Sequence, residues 1–167
     1  MTIGKYVGLA ALIGFAALSG AEMPVSAQDA KQTAVQISKR TDPEAKSHRL
    51  VLQVNTNDPA TMNLALNNAQ NVSQYYKDLG EKVEIEVVTF GPGLNMLRED
   101  TSPVKARIKS IAASTPGIAF RGCANTQENM TKAENKEITL IPEVSMVKSG
   151  VVRVMELQEQ GWTYVRP

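Results

Sequence analysis

The chain has 167 residues, nearly equal numbers of acidic and basic side chains, and a formal net charge of +1. That balance supplies no long-range field to draw in nucleic acid or an anionic lipid surface. Aromatic residues make up 5% of the chain, too few for a base-stacking platform, so no nucleic-acid partner is expected.

Residues 1–27 read as a secretory signal peptide. Lys5 supplies the positive start, Val7 to Leu18 is apolar apart from Gly8 and Gly14, and Val25-Ser26-Ala27 offers small residues for cleavage after Pro24. The apolar run is well short of the roughly 20 residues that span a bilayer, which makes an uncleaved anchor the lesser alternative. No membrane attachment is expected after cleavage. The expected address is the periplasm, with full secretion as the second choice. Residues 28–47 are polar, with an isolated Val35 and Ile37. They read as a lead that is either disordered or docked on the domain that follows.

From His48 onward, strands and helices alternate. Arg49 to Val54 is a β-rich run closed by the turn residues Asn55-Thr56-Asn57-Asp58-Pro59. Thr61 to Leu79 carries Met62, Ala65, Ala69, Val72 and Tyr76 at helical spacing, and Gly80 is a natural stop. Val83 to Phe90 predicts a second strand, followed by a tight Gly91-Pro92-Gly93 loop and a short helix over Leu94–Arg98. Pro103 suits the first turn of a helix reaching Ala113. Ile118 to Arg121 is the third strand, and a helix over Asn125–Ala133 follows it. Ile138 to Val144 is a fourth extended segment, made irregular or an edge by Pro142. A helix over Val151–Gln160 ends at Gly161, and Trp162 to Val165 closes the chain as a fifth strand.

This alternation predicts a three-layer α/β/α domain over residues 48–167, with a mainly parallel five-stranded sheet. Function in such sheets sits at the carboxyl ends of the strands. The loops there are Asn55–Pro59, Gly91–Gly93 and Gly122–Asn125.

Cys123 is the only cysteine and His48 the only histidine. A lone thiol in an exported chain is buried and inert, paired with another molecule, or chemically used. Asn125 as a helix cap, with Glu128 three residues on, would present unpaired N–H groups to Cys123 and favour its thiolate. Arg121 adds positive charge if it points toward the thiol, and Gly122 allows close backbone approach. Against this, free cysteine is among the most buried residue types. His48 stands at the amino end of the first strand, badly placed as a catalytic base. One cysteine and one histidine make a zinc site within one chain a poor fit, and no cofactor is expected.

Gly91 and Gly93 lack the lysine and spacing of a phosphate loop, so a tight strand-to-helix turn is the better account. Asn55, Asn57 and Asp58 suit either a ligand or a turn, and the turn is favoured. Glu99-Asp100 reads as a solvated loop.

Taken together, several stretches resemble the DsrE/DsrF-like proteins of the YchN-like fold, in particular their small exported members. They are Asn55 to Ala69, Val87 to Gly93, Phe120 to Thr126 and Leu157 to Val165. The resemblance implies a parallel α/β/α domain and assembly as a homo-oligomer. It also implies that Cys123, at the helix start after the third strand, carries sulfur as a persulfide. The partners would then be a sulfur donor or acceptor protein, or a small sulfur compound. The relay members of that family work in the cytoplasm, whereas this chain reads as exported. A non-catalytic binding module with a structural cysteine, or a thiol redox sensor, is the alternative.

Overall fold

The computed structural model describes residues 47–167. The signal peptide read over 1–27 and the lead up to residue 46 lie outside these residues. Five strands form one sheet: β1 (Ser47–Val54), β2 (Lys82–Thr89), β3 (Ile118–Cys123), β4 (Val144–Val147) and β5 (Thr163–Val165). Their order is β4-β3-β2-β1-β5, and every pairing is parallel. Four α-helices connect them: α1 (Pro59–Asp78), α2 (Lys105–Ser114), α3 (Ala124–Glu134) and α4 (Gly150–Glu159). A 3-10 helix over Gly91–Leu97 precedes α2.

Alternation along the central strands divides the core in two. Leu50, Leu52, Val54, Ile85, Val87 and Phe120 face Met62, Ala65, Leu66 and Ala69 of α1 and Ile108 and Ile111 of α2. On the other face Val51 and Val88 pack on Val154 and Leu157 of α4, beside Phe90 and Trp162. Helices on both faces make this the expected three-layer α/β/α domain. Leu66 joins the buried stripe of α1, while Val72 and Tyr76 are only half-buried.

Local chemistry explains where the helices begin and end. Asp58 caps α1, accepting from the Thr61 N–H at 2.9 Å and the Ala60 N–H at 3.3 Å, with Pro59 in the first turn. Gly80, at φ +71°, follows the end of α1. Gly161, at φ +82°, ends α4, where the Trp162 N–H donates to the Leu157 carbonyl at 2.9 Å.

Three expectations need correction. His48 lies inside β1, opposite Val83, and Ser47 is already paired with Lys82. The fourth strand is Val144–Val147 rather than Ile138–Val144. Ile138 and Ile141 are apolar because they enter the core, yet the segment makes only an antiparallel bridge between Leu140 and Arg98. Finally, α3 begins at Ala124, so Cys123 and not Asn125 holds the cap position.

Candidate functional site

Cys123 is the last residue of β3, paired with Val147 of β4, and it is 4% exposed. The backbone around it is stitched together from distant segments. The Asn125 N–H donates to the Lys148 carbonyl at 3.2 Å, which ties the start of α3 to the loop before α4. Gly150 then opens α4 pressed against Phe90, where an added Cβ would lie 2.8 Å from the Phe90 ring. Cys123 therefore sits between the starts of two helices, α3 and α4.

Thr126 completes this surround. Its hydroxyl oxygen accepts the Gly91 N–H at 3.0 Å, leaving the hydroxyl proton to be directed elsewhere. Burial opposes ionisation of Cys123. The Thr126 hydroxyl and the N–H groups of Gly150, Thr126 and Asn125 outweigh it and hold the thiol below its ordinary range. Cys123 makes no side-chain cap hydrogen bond of ordinary geometry, so these groups act on the sulfur as oriented dipoles.

The other candidate residues divide by what holds them. Gly122 is needed for packing, since a Cβ there would meet Leu140, Met146 and Val144 side chains at 3.1–3.2 Å. Gly93 lies so close to β1 that a Cβ would fall 2.2 Å from the Val54 carbonyl oxygen and 2.8 Å from the Asn55 Cα. The first two loops thus touch through Gly93, and the second meets the first turn of α3, next to the third loop, through Gly91 and Thr126. Asp58 is occupied as the α1 cap, which favours the turn account of that loop. Asn55 is half-buried and Asn57 exposed, and neither side chain has a hydrogen-bond partner among the described residues. Asn125 is exposed and takes part through its backbone.

Arg121 lies on the same face as Cys123 but turns to Glu86 of β2, 3.1 Å away. Glu86 pairs in register with Ala119, one step toward the amino end of that face. Arg153 of α4 also donates to Glu86, at 3.0 Å and 2.6 Å. Burial works against ionised Glu86, but its bonds from Arg153 and Arg121 keep it below the usual carboxylate range. His48 stacks on Tyr76 with ring centroids 3.7 Å apart, and bonds to Glu81 at 2.6 Å. It stands at the amino end of the sheet, away from Cys123. Glu99 and Asp100 are exposed yet paired, with Lys105 and with Arg98 and Lys136.

A concavity of about 610 Å³ lies between the starts of α3 and α4, lined by Asn125, Val147, Lys148, Ser149, Val152, Arg153 and Glu156, and Cys123 is not part of its lining. No three His, Cys, Asp or Glu side chains group to hold a metal among the described residues. No helix there is long and apolar enough to cross a membrane.

Among solved structures the chain is similar to MTH1491 from Methanobacterium thermoautotrophicum, a protein of unknown function. Identity is 30%, the match covers 72% of this chain and 99% of that one, and the TM-score is 0.61. The chain belongs to one family with MTH1491. BT1422 from Bacteroides thetaiotaomicron, a conserved protein of unknown function, matches at 18% identity over 71% of this chain and 94% of its own, with a TM-score of 0.48. No family model matches the chain, and no curated protein does. The likeness to MTH1491 brings a fold and no activity.

Sequence reasoning singled out Cys123 but missed Thr126, Gly150, Glu86 and Arg153. Thr126 was accessible from its spacing, because a residue three places into a helix faces back to the cap. Glu86 had a weaker signal: it alternates with Glu84, but the strand turns wholly apolar directly after it, where a carboxylate needs a buried partner. Gly150 had none, since nothing local ties it to a residue 27 positions earlier.

Proposed function

We propose that this protein is a periplasmic sulfur carrier in which Cys123 accepts a sulfane sulfur and passes it on. The observation that carries this reading is the setting of Cys123, held at two helix starts that favour its thiolate over the opposing cost of burial. The resemblance to DsrE/DsrF-like proteins at Phe120 to Thr126 supports it, as does the signal-like start of the chain. Lys148, whose carbonyl accepts the Asn125 N–H two residues after Cys123, lines the nearby concavity and suits a small anionic donor. A carrier of this kind needs no metal or organic cofactor. Its partners are a donor and an acceptor of sulfur, and assembly as a homo-oligomer follows from the same resemblance.

The chemical step is a displacement. The Cys123 thiolate attacks the sulfane sulfur of a donor such as thiosulfate. A Cys–S–S⁻ persulfide forms, the donor S–S bond breaks, and sulfite leaves with the bonding electron pair. With inorganic polysulfide the leaving group is the polysulfide one sulfur shorter. No external oxidant is required.

A second reading rests on a specific observation, the 4% exposure of Cys123. A binding module with a packed structural cysteine would have that burial as well. Mass spectrometry of anaerobically purified protein after treatment with inorganic polysulfide separates the two. The carrier reading expects one added sulfur on Cys123, absent from Cys123→Ser, which still folds. Unmodified Cys123 together with slow native alkylation would instead establish the structural cysteine.

A further inference from the structure

The apolar cluster that seats α4 is small, built on Val51, Val88, Val154 and Leu157. Apolar contact is non-directional and tolerates sliding of a helix along its axis. The fork between Arg153 and Glu86 does not. Arg153 donates through Nε to one carboxylate oxygen at 3.0 Å and through a terminal nitrogen to the other at 2.6 Å. Glu86 is 5% exposed and sits on the central strand β2, a rigid anchor. Arg153 is one helical turn beyond Gly150, whose backbone abuts Phe90 and whose N–H is directed at Cys123.

We propose that the Glu86–Arg153 pair is a positioning clamp that seats the first turn of α4 against the Cys123 sulfur and thereby sets how readily that sulfur reacts. This rests on Cys123 being the reacting group. The charged groups facing the pair are Arg121 from β3, and Glu156 of α4, 3.8 Å from Arg153. Lys148, before α4, lines the same concavity. From β1 the facing residue is the apolar Val51.

The sign of one substitution separates positioning from simple charge. Glu86→Gln removes a negative charge, which by Coulomb interaction alone would make the thiol ionise more easily. Loss of the clamp acts the other way, because the helix start drifts from the sulfur. The experiment is an NMR titration of ¹³Cβ-labelled Cys123 in the full mature chain. In Glu86→Gln the thiol midpoint should rise by about half a pH unit. Arg153→Lys keeps the charge but loses the fork, and its midpoint should rise as well. Arg107→Ala, which breaks contacts with Asn63, Asn67 and Gln70 on the opposite face, should leave the midpoint unchanged.

An unchanged or lowered midpoint in folded Glu86→Gln overturns the clamp, and if that variant does not fold, Arg153→Lys decides by the same criterion. A midpoint raised equally by Arg107→Ala would also overturn it, as a general effect of destabilisation. Polysulfide loading of the unaltered protein is a separate readout. Its failure would defeat the carrier reading while the titration still decides the clamp.

Discussion

The Gly91 N–H and the Thr126 hydroxyl oxygen meet at 3.0 Å, joining the loop after β2 to the first turn of α3. Because the oxygen accepts from Gly91, its own proton is left for the Cys123 sulfur. One side chain therefore links loop geometry to thiol chemistry. Thr126→Val should lose both interactions. Its cost is about 1 kcal/mol of stability, read from urea unfolding. Cys123 alkylation should shift to higher pH in that variant and return in Thr126→Ser.

Gly93 is the position least tolerant of a side chain near the site. The atom it would strike is a backbone carbonyl, which cannot rotate away. Gly93→Ala should cost about 3 kcal/mol, the upper end of overpacking penalties. Thermal melts measure this directly. A melt equal to the parent would show that the backbone of β1 yields to admit a Cβ at this position.

Acid should loosen the contact between α3 and the 3-10 helix. Arg98 is 3% exposed and bonds both Asp100 and Glu134. The hydrogen bonds from Arg98, then Lys136, hold the Asp100 carboxyl below its ordinary value of 3.8. Arg98 likewise lowers Glu134 from 4.5. Both groups are more acidic folded than unfolded. Their stabilisation is complete above the unfolded values and is lost as pH falls through the folded ones. The gap in melting temperature between the parent and Asp100→Asn should be full at neutral pH and close in strong acid.

Cys123 obeys the same sign at the alkaline end. Its folded value lies below the unfolded 9.0, so the folded state releases the proton first. Relative to Cys123→Ser, the parent should gain stability as pH rises toward 9.0 and level off above it. Anaerobic urea midpoints across that range test the slope. A constant difference would mean that the thiol is not tuned by its surroundings.

The architecture was legible because strand and helix periods differ and the breakers lie between them. Gly80 and Gly161 ended the helices they were expected to end, and Asp58 behaved as a turn residue. The fourth strand was misplaced because Ile138 and Ile141 report burial, whereas a strand is defined by bonding to a neighbour. Asn125 was misread as a cap for a related reason. Its residue type suits that position, but the chain enters the helix two residues earlier, at Cys123. The neighbours of the thiol were least legible, since Gly150 reaches it only through the return of the chain into α4 and not through local spacing.

The placement of Gly150 has a consequence for biogenesis. Val147 and Gly150 lie well downstream of Cys123, so the thiol's pocket does not exist until nearly the whole chain has emerged. Until then Cys123 is an ordinary unshielded sulfur, exposed to whatever oxidants the nascent polypeptide meets. Completion of the last helix closes that interval, and a chain cut short before Gly150 would never leave it.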